Sequence, residues 1–430
     1  MPKEPNPDFT IVVSSPSPGD TWCYSPGLCR CPDGALIATM DFGGPGVARL
    51  DGPKSGNGDD KSVGNQGRIY RSEDGGRTWH LQALFPFYHA RPFYAGKDNK
   101  TLYVLGHSHD LVIMRSDDNG RTWSAPATLT HDEVWSQAPC NVHYANGSVY
   151  LVMEKQLRFD AASWRSNGFG AILMRGRMDA DLTRPEAWTC AQSFSLRDIC
   201  PEQRIPFLGA PFFPVKDGPE GELAPGRRPW PLGWLESNVV QITDPDHYWY
   251  DPAGRTFHLL ARAATNTTNL AALLKVVEHA DGSMTTHLQE TPCGEKMLYL
   301  PLPGGQMKFH ILQDTCAPDS TNLYWLLSTQ ATDSMTRAER LPADRFNAPN
   351  DERQRLQLHY SKNCVDWCFA SIVATGATQK QARHYASMAI DGDDLLILSR
   401  SGNEHAASAH NGNLITFHRV RNFRALAHFS

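Results

Sequence analysis

The chain has 430 residues, 40% hydrophobic and 20% charged, which is ample for a large core and too apolar for a disordered chain. Its net charge is −5, with Lys and Arg dispersed and never gathered into a run, so a nucleic-acid partner is not expected. No apolar stretch approaches the roughly 18 residues that span a bilayer, so no membrane partner is expected either.

The opening MPKEPNPDF lacks the apolar centre of a signal peptide. The expectation is a soluble chain, secreted or periplasmic if a leader was trimmed and cytoplasmic otherwise. FTIVVSS, from Phe9, is a β-run standing apart from the repeats that follow it. The ten cysteines include Cys29 and Cys31 in a C-x-C and Cys364 and Cys368 around Trp367. None has a second half-site with zinc-ligand spacing, so buried free thiols are expected, with no metal and no cofactor.

Two segments then repeat almost exactly: RSEDGGRTW from Arg71 to Trp79, and RSDDNGRTW from Arg115 to Trp123. Each follows a short β-run. The shared S-x-D-x-G-x-T-W predicts a tight hairpin in which Asp accepts from backbone N–H groups, Gly supplies a positive φ and Trp packs over the turn. A third copy, SKNCVDW from Ser361 to Trp367, has Asn for Asp, lacks the Gly and is one residue shorter.

Around these anchors the chain divides into six units of one kind, each a set of short β-runs joined by D-G or N-G turns. They begin at PDGALIATMDF, KTLYVLGHS, GSVYLVME, VVQITDPD, KFHILQD and YASMAIDGDDLLILSR. Six sheets of about four strands, set radially, bury nearly every strand face. The predicted fold is therefore all-β: a six-bladed β-propeller formed by one domain over residues 1–430, its last blade completed by FTIVVSS. The Pro/Gly-rich stretch from Lys216 to Pro231 is expected to be a long loop between strands.

The repeated turn is the Asp-box, and with it the chain resembles the sialidase superfamily. Four further segments carry that resemblance. ESNVVQITDPD from Glu236 and FHLLARAA around Arg262 resemble E-S-Q-V-V-E-L and L-x-L-N-x-R; RQRLQLHYS from Arg353 resembles R-x-N-L-T-x-R-L-S; and YASMAIDGDDLLIL from Tyr385 resembles Y-S-x-L-x-x-L-x-D-G. The resemblance implies Tyr385 as nucleophile, Glu236 as its base, and Arg262 and Arg353 as two arginines of a clamp on a sugar carboxylate. It places the proton donor on a loop before the first Asp-box, where Asp59 and Asp60 stand. Spacing favours Asp60, with Asp51 the alternative.

The chemistry of such a set is coherent. A phenol of ordinary pKa near 10 needs a carboxylate to take its proton as it attacks, and a guanidinium fork grips a carboxylate in a way Lys cannot. One position departs from the pattern. The family opens with F/Y-R-I-P ahead of P-D-G, whose Arg is the first of three, whereas CYSPGLCRCPDG puts Tyr24 there. An R-I-P at Arg204–Pro206 has no P-D-G after it. Arg91 or Arg400 could complete the clamp, and His384 adjoins Tyr385.

The function implied is an exo-acting sialidase-type glycoside hydrolase acting on a sialylated glycan or glycoprotein. Two alternatives stay open: a glycosidase or lyase for another acidic sugar with a His acid/base, for which His384, His405, His410, His107 and His109 are available, and a non-catalytic carbohydrate-binding propeller.

Overall fold

The computed structural model describes residues 9–56, 64–96, 99–159, 165–199, 233–263, 269–315, 323–334, 336–340 and 352–428. Asp59, Asp60, the Arg204–Pro206 segment and the Lys216–Pro231 stretch lie outside them. Six antiparallel sheets follow one another along the chain and form a six-bladed β-propeller. From the axis outward, blade 1 contains Trp22–Arg30, Leu36–Gly43, Gln66–Ser72 and His80–Phe85. Blade 2 contains Tyr88–Ala95, Thr101–Ser108, Asp110–Ser116 and Ala127–Thr128. Blade 3 runs through Trp135–Ser136, Ser148–Gln156, Phe169–Arg177 and Trp188–Cys190, and blade 4 through Trp234–Val240, Thr256–Ala263, Leu270–Glu278 and Met284–Glu290. Blade 5 holds His310–Asp314, Leu323–Ser328, Arg355–Ser361 and Cys368–Thr375.

Blade 6 takes three strands from the end of the chain, Arg383–Asp391, Asp394–Ser401 and Leu414–Val420. Its outer strand is Phe9–Ser14, paired antiparallel with the last of these from Phe9 opposite His418 to Ser14 opposite Leu414. The N-terminal β-run thus closes the ring, as its isolation in the sequence predicts.

The core is divided in the same way. Each of six buried apolar clusters draws on two consecutive blades, including the pair formed by blades 6 and 1. The alternation along each strand therefore sends one side chain to the blade before and the next to the blade after. Trp234, fully buried, packs in the cluster between blades 3 and 4, where the transfer of such a side chain from water is worth about 1.5–3 kcal/mol.

The Asp-boxes close the third and fourth strands of their blades and staple each blade to the one before. In the first, Asp74 accepts from the amides of Arg77 and Thr78 at 3.0 and 2.9 Å and from Thr78 Oγ1 at 2.7 Å. Trp79 Nε1 donates to Gly76 O at 3.1 Å, and the indole meets Phe417 of blade 6 with centroids 5.6 Å apart. Asp118 repeats the pattern with the amides of Arg121 and Thr122; burial raises its pKa, but the Thr122 hydroxyl and amide, the Ser116 hydroxyl and the Arg121 amide together lower it to about 2. Gly76 and Gly120 adopt φ of +91° and +82°, and a Cβ at either would strike Phe417 or Ile37. The third copy forms its turn without glycine. Asn363 Oδ1 accepts from the amides of Val365 and Asp366, and Cys364 takes the left-handed conformation itself at φ 60°.

Eight of the cysteines are described, all as free thiols. Cys23, Cys31, Cys140 and Cys364 are buried as expected, but Cys190, Cys293 and Cys368 are exposed, because they fall on outer strands and turns where no neighbouring blade covers them. No helix among the described residues is long and apolar enough to cross a membrane.

Candidate active site

The inner strand of a blade and the second strand are antiparallel, so the start of one and the end of the other share one mouth of the ring. The Asp-box turns, joining third to fourth strands, lie at the opposite end. Five blades place a titratable side chain near the mouth-side end of the second strand. The paired residues are Tyr24 with Asp41, Tyr88 with His107, Ser136 with Glu154, Leu235 with Arg262, and His384 with Arg400. In four of these blades the inner strand bulges just after that pair, and the next residue has a positive φ: Ser25 at 49°, His89 at 54°, Glu236 at 57° and Tyr385 at 51°. A non-glycine residue in that region costs about 1–3 kcal/mol, and such bulges are a means of re-aiming a side chain next to a site.

Here the bulges serve that purpose. A cavity of about 430 Å³ opens at this mouth, with Ser25, Ala138, Glu154, Glu236, Tyr385 and Arg400 among its buried walls and Tyr24, Asn65, Tyr88, His89 and His410 nearer its rim. Arg262 Nη1 donates to Tyr385 Oη at 2.7 Å and to Glu236 Oε2 at 3.1 Å, and its Nε donates to Gln306 O at 2.9 Å. Tyr385 and Glu236 are thus brought onto one guanidinium nitrogen, with all three residues at least nine-tenths buried. Burial pushes the Tyr385 phenol above its ordinary pKa. The charge of Arg262 pulls it back, Glu236 pushes it further up, and Arg353 and Arg400 pull it down.

Three arginine charges therefore converge on this phenol. Arg262 belongs to blade 4, Arg353 precedes the third strand of blade 5, and Arg400 ends the second strand of blade 6. Arg400 lies with its guanidinium carbon 4.1 Å from the centroid of the Tyr24 ring and 5.1 Å from that of Tyr385. Its Nη2 donates to His410 O, and Tyr24 Oη donates to Asn411 Oδ1 at 2.7 Å. The position where the sequence pattern lacks an arginine thus holds a tyrosine on which an arginine from the adjoining blade is stacked.

Two residues named as pocket candidates lie elsewhere. The bulge between Tyr88 and Arg91 turns Arg91 toward a second cavity, lined by residues of all six blades further along the channel, where its Nη2 donates to Val152 O at 3.1 Å. His384 is fully buried and lies outside the cavity lining, because the bulge that turns Tyr385 inward leaves the residue before it on the other side of the strand. Arg353 Nη1 donates to its Nδ1 at 3.4 Å. Burial, with the charges of Arg353 and Arg400 adding to it, holds the imidazole well below its usual range, so it is neutral. Asp51 is exposed on its loop and does not line the cavity. No cluster of His, Cys, Asp and Glu that could hold a metal occurs among the described residues.

Sequence reasoning missed Glu154 and Asp41. Asp41 is fully buried against the rim, accepting from the His89 amide at 3.2 Å and from Asn65 Nδ2 at 3.0 Å. Burial raises it to about 7 against the pull of the His89 amide, Arg400 and Asn65. The signal for both was in the repeat: MDF and VME lie near the ends of the second strands of blades 1 and 3, as LAR and LSR do in blades 4 and 6.

No protein-family model matches the chain, and no curated protein matches it in sequence. Solved structures do resemble it. An α-L-arabinanase of Penicillium chrysogenum complexed with arabinobiose superposes with TM-score 0.50 at 11% identity, covering 96% of this chain and 98% of the other. The Hadza microbial sialidase Hz136 gives 0.51 at 14% identity over 93% of this chain and 66% of its own. Trypanosoma rangeli sialidase in complex with 2,3-difluorosialic acid gives 0.50 at 12% identity over 98% and 60%. At such identities the likeness is one of fold.

Proposed function

We propose that this chain is an exo-acting glycoside hydrolase of sialidase type that releases terminal sialic acid from a glycan or glycoprotein. The observation that carries the reading is the convergence of Arg262, Arg353 and Arg400 on the Tyr385 phenol, with Glu236 beside it. One guanidinium on the cavity wall, Arg400, with Arg262 and Arg353 acting on the Tyr385 phenol beside it, suits an anionic sugar, and a carboxylate is the group their forks hold best. That the fold is shared by sialidases and an arabinanase is consistent with a glycosidase and does not by itself select the sugar.

In this reading Arg262, Arg353 and Arg400 hold the substrate carboxylate, Arg400 standing in for the arginine that Tyr24 replaces. The carboxylate draws Arg262 off Tyr385 and Glu236. Tyr385 Oη then attacks the anomeric carbon while Glu236 takes the phenolic proton, and a neutral nucleophile meets no repulsion from the substrate carboxylate. Asp60 is assigned the proton donor's role by spacing alone. His384 is fully buried and outside the cavity lining, so its placement gives no support to a reaction run by that residue.

The test is release of free sialic acid from sialyllactose. Tyr385→Phe and Glu236→Gln should each fold, keep affinity for free sialic acid and lose several orders of magnitude in turnover, with the double variant little worse than either, since groups acting as a unit are not additive. An unmutated protein that releases no sialic acid would refute the reading.

A further inference from the structure

Glu154 has no part in the set just described. It occupies in blade 3 the place that Arg262 and Arg400 occupy in blades 4 and 6, and it lines the same cavity as Glu236 and Tyr385. Its side chain is fully buried. Oε1 accepts from the amide of Ser237, the residue after Glu236, at 3.0 Å, while Oε2 has no hydrogen-bond partner among the described residues.

The two carboxyl groups have opposite surroundings. Glu236 is ion-paired with Arg262 at 3.1 Å, whereas no ion pair to Glu154 is found among the described residues. The groups facing Glu154 are Ser237 and Glu236 of blade 4, Arg91 of blade 2, and Cys140 ahead of its own strand. Burial is the largest influence and, with the charge of Glu236, raises its pKa to about 8 against the Ser237 amide and Arg91. A buried carboxyl without a cation on it, beside one held in an ion pair, is an arrangement that divides acid from base. A buried oxygen without a partner is also costly unless something in the working cycle pairs with it.

We propose that Glu154 is the proton donor to the leaving group, working opposite Glu236. The proposal rests on the glycoside hydrolase reading above. The Glu154 O–H bond breaks as the bond between the anomeric carbon and the glycosidic oxygen breaks. That bond's electron pair stays on the oxygen, which takes the proton and departs as an alcohol. Water then attacks the anomeric carbon as the bond to Tyr385 Oη breaks; that bond's electron pair stays on the phenol oxygen, which recovers its proton from Glu236, while the Glu154 carboxylate takes a proton from the water and is restored as the acid. Glu154 and Asp60 are rivals for this one role.

The full chain, Glu154→Gln and Asp60→Asn are compared by kcat/KM on sialyllactose, whose leaving alcohol needs a proton, and on methylumbelliferyl sialoside, whose phenol leaves without one. Glu154→Gln should lose roughly 10²–10⁴-fold on sialyllactose, the usual span of general acid catalysis, and far less on the aryl sialoside. In the unmutated protein, the sialyllactose rate should fall as pH rises through about 8 while the aryl sialoside rate does not. That measurement stands even if the Gln variant fails to fold. Equal losses on both substrates, no loss on either, or the leaving-group pattern appearing in Asp60→Asn would each overturn the assignment while leaving the hydrolase reading intact. An unmutated protein that cleaves neither substrate would bring down the hydrolase reading and this proposal with it.

Discussion

Replacing Arg400 with Met separates what this residue does for the fold from what it does for a ligand. Arg400 is 3% exposed, and burial lowers its pKa, so the folded state bears a cost for keeping the charge. Met keeps the length and apolar contact of the side chain and removes that cost. What it gives up is the stacking on Tyr24 at 4.1 Å, worth about 0.5–2 kcal/mol, and the bond to His410 O. Buried charges replaced by apolar groups of similar volume are often neutral or stabilising, so the melting temperature should hold or rise. Binding should respond differently. Losing a charge-assisted contact to a sugar carboxylate costs about 1.5–3 kcal/mol, a roughly 10- to 150-fold weaker affinity at 1.4 kcal/mol per decade. Titration calorimetry with free sialic acid, beside thermal unfolding, reads both effects. Arg400→Lys should not restore binding, because an ammonium cannot form the fork. A Met variant that binds sialic acid like the unmutated protein would refute the placing of Arg400 in the clamp.

Removing either of the other two clamp residues, as Arg262→Ala or Arg353→Ala, should weaken sialic acid binding by a similar factor in the same calorimetric assay. Gly120→Ala places a Cβ 2.6 Å from Ile37 Cδ1 at a backbone φ of +82°; unfolding should show a loss of about 1–3 kcal/mol, with kcat unchanged at temperatures where the variant is folded. Asp41, raised to about 7 by burial, keeps a proton in the folded state that the unfolded chain releases near pH 4. Its contribution to stability is therefore complete below pH 4 and is lost as pH rises through about 7. Relative to Asp41→Asn, the unmutated protein should become progressively less stable across that window, as followed by denaturant unfolding.

The fold was legible because a propeller repeats. Each unit carries the same sequence of β-run, turn and β-run, and the box residues at Ser72–Trp79 and Ser116–Trp123 fix where the third strand ends. The closing strand could be read from Phe9–Ser14 because a β-run with no partner of its own needs one elsewhere. The site was legible only in part. Arg262, Glu236 and Tyr385 are brought together as their motifs imply, but a motif does not say which way a side chain points. The bulges that turn Glu236 and Tyr385 inward depend on a single residue in the left-handed region, and nothing in ESN or HYA announces one. The same device sends His384 behind the wall and Arg91 to a second cavity further along the channel. Glu154 and Asp41 went unseen for another reason. Each looks like an ordinary polar residue at a strand end until the second strands of all six units are aligned with one another.

The central claim is that Tyr385 attacks the anomeric carbon. Incubation with 2,3-difluorosialic acid, digestion and mass spectrometry of the peptides tests it most directly. The account predicts one added sialosyl group on the peptide that contains Tyr385, formed with loss of fluoride, and none on Tyr385→Phe. A label on Glu236, or sialic acid turnover by a protein that never acquires a label on Tyr385, would contradict it.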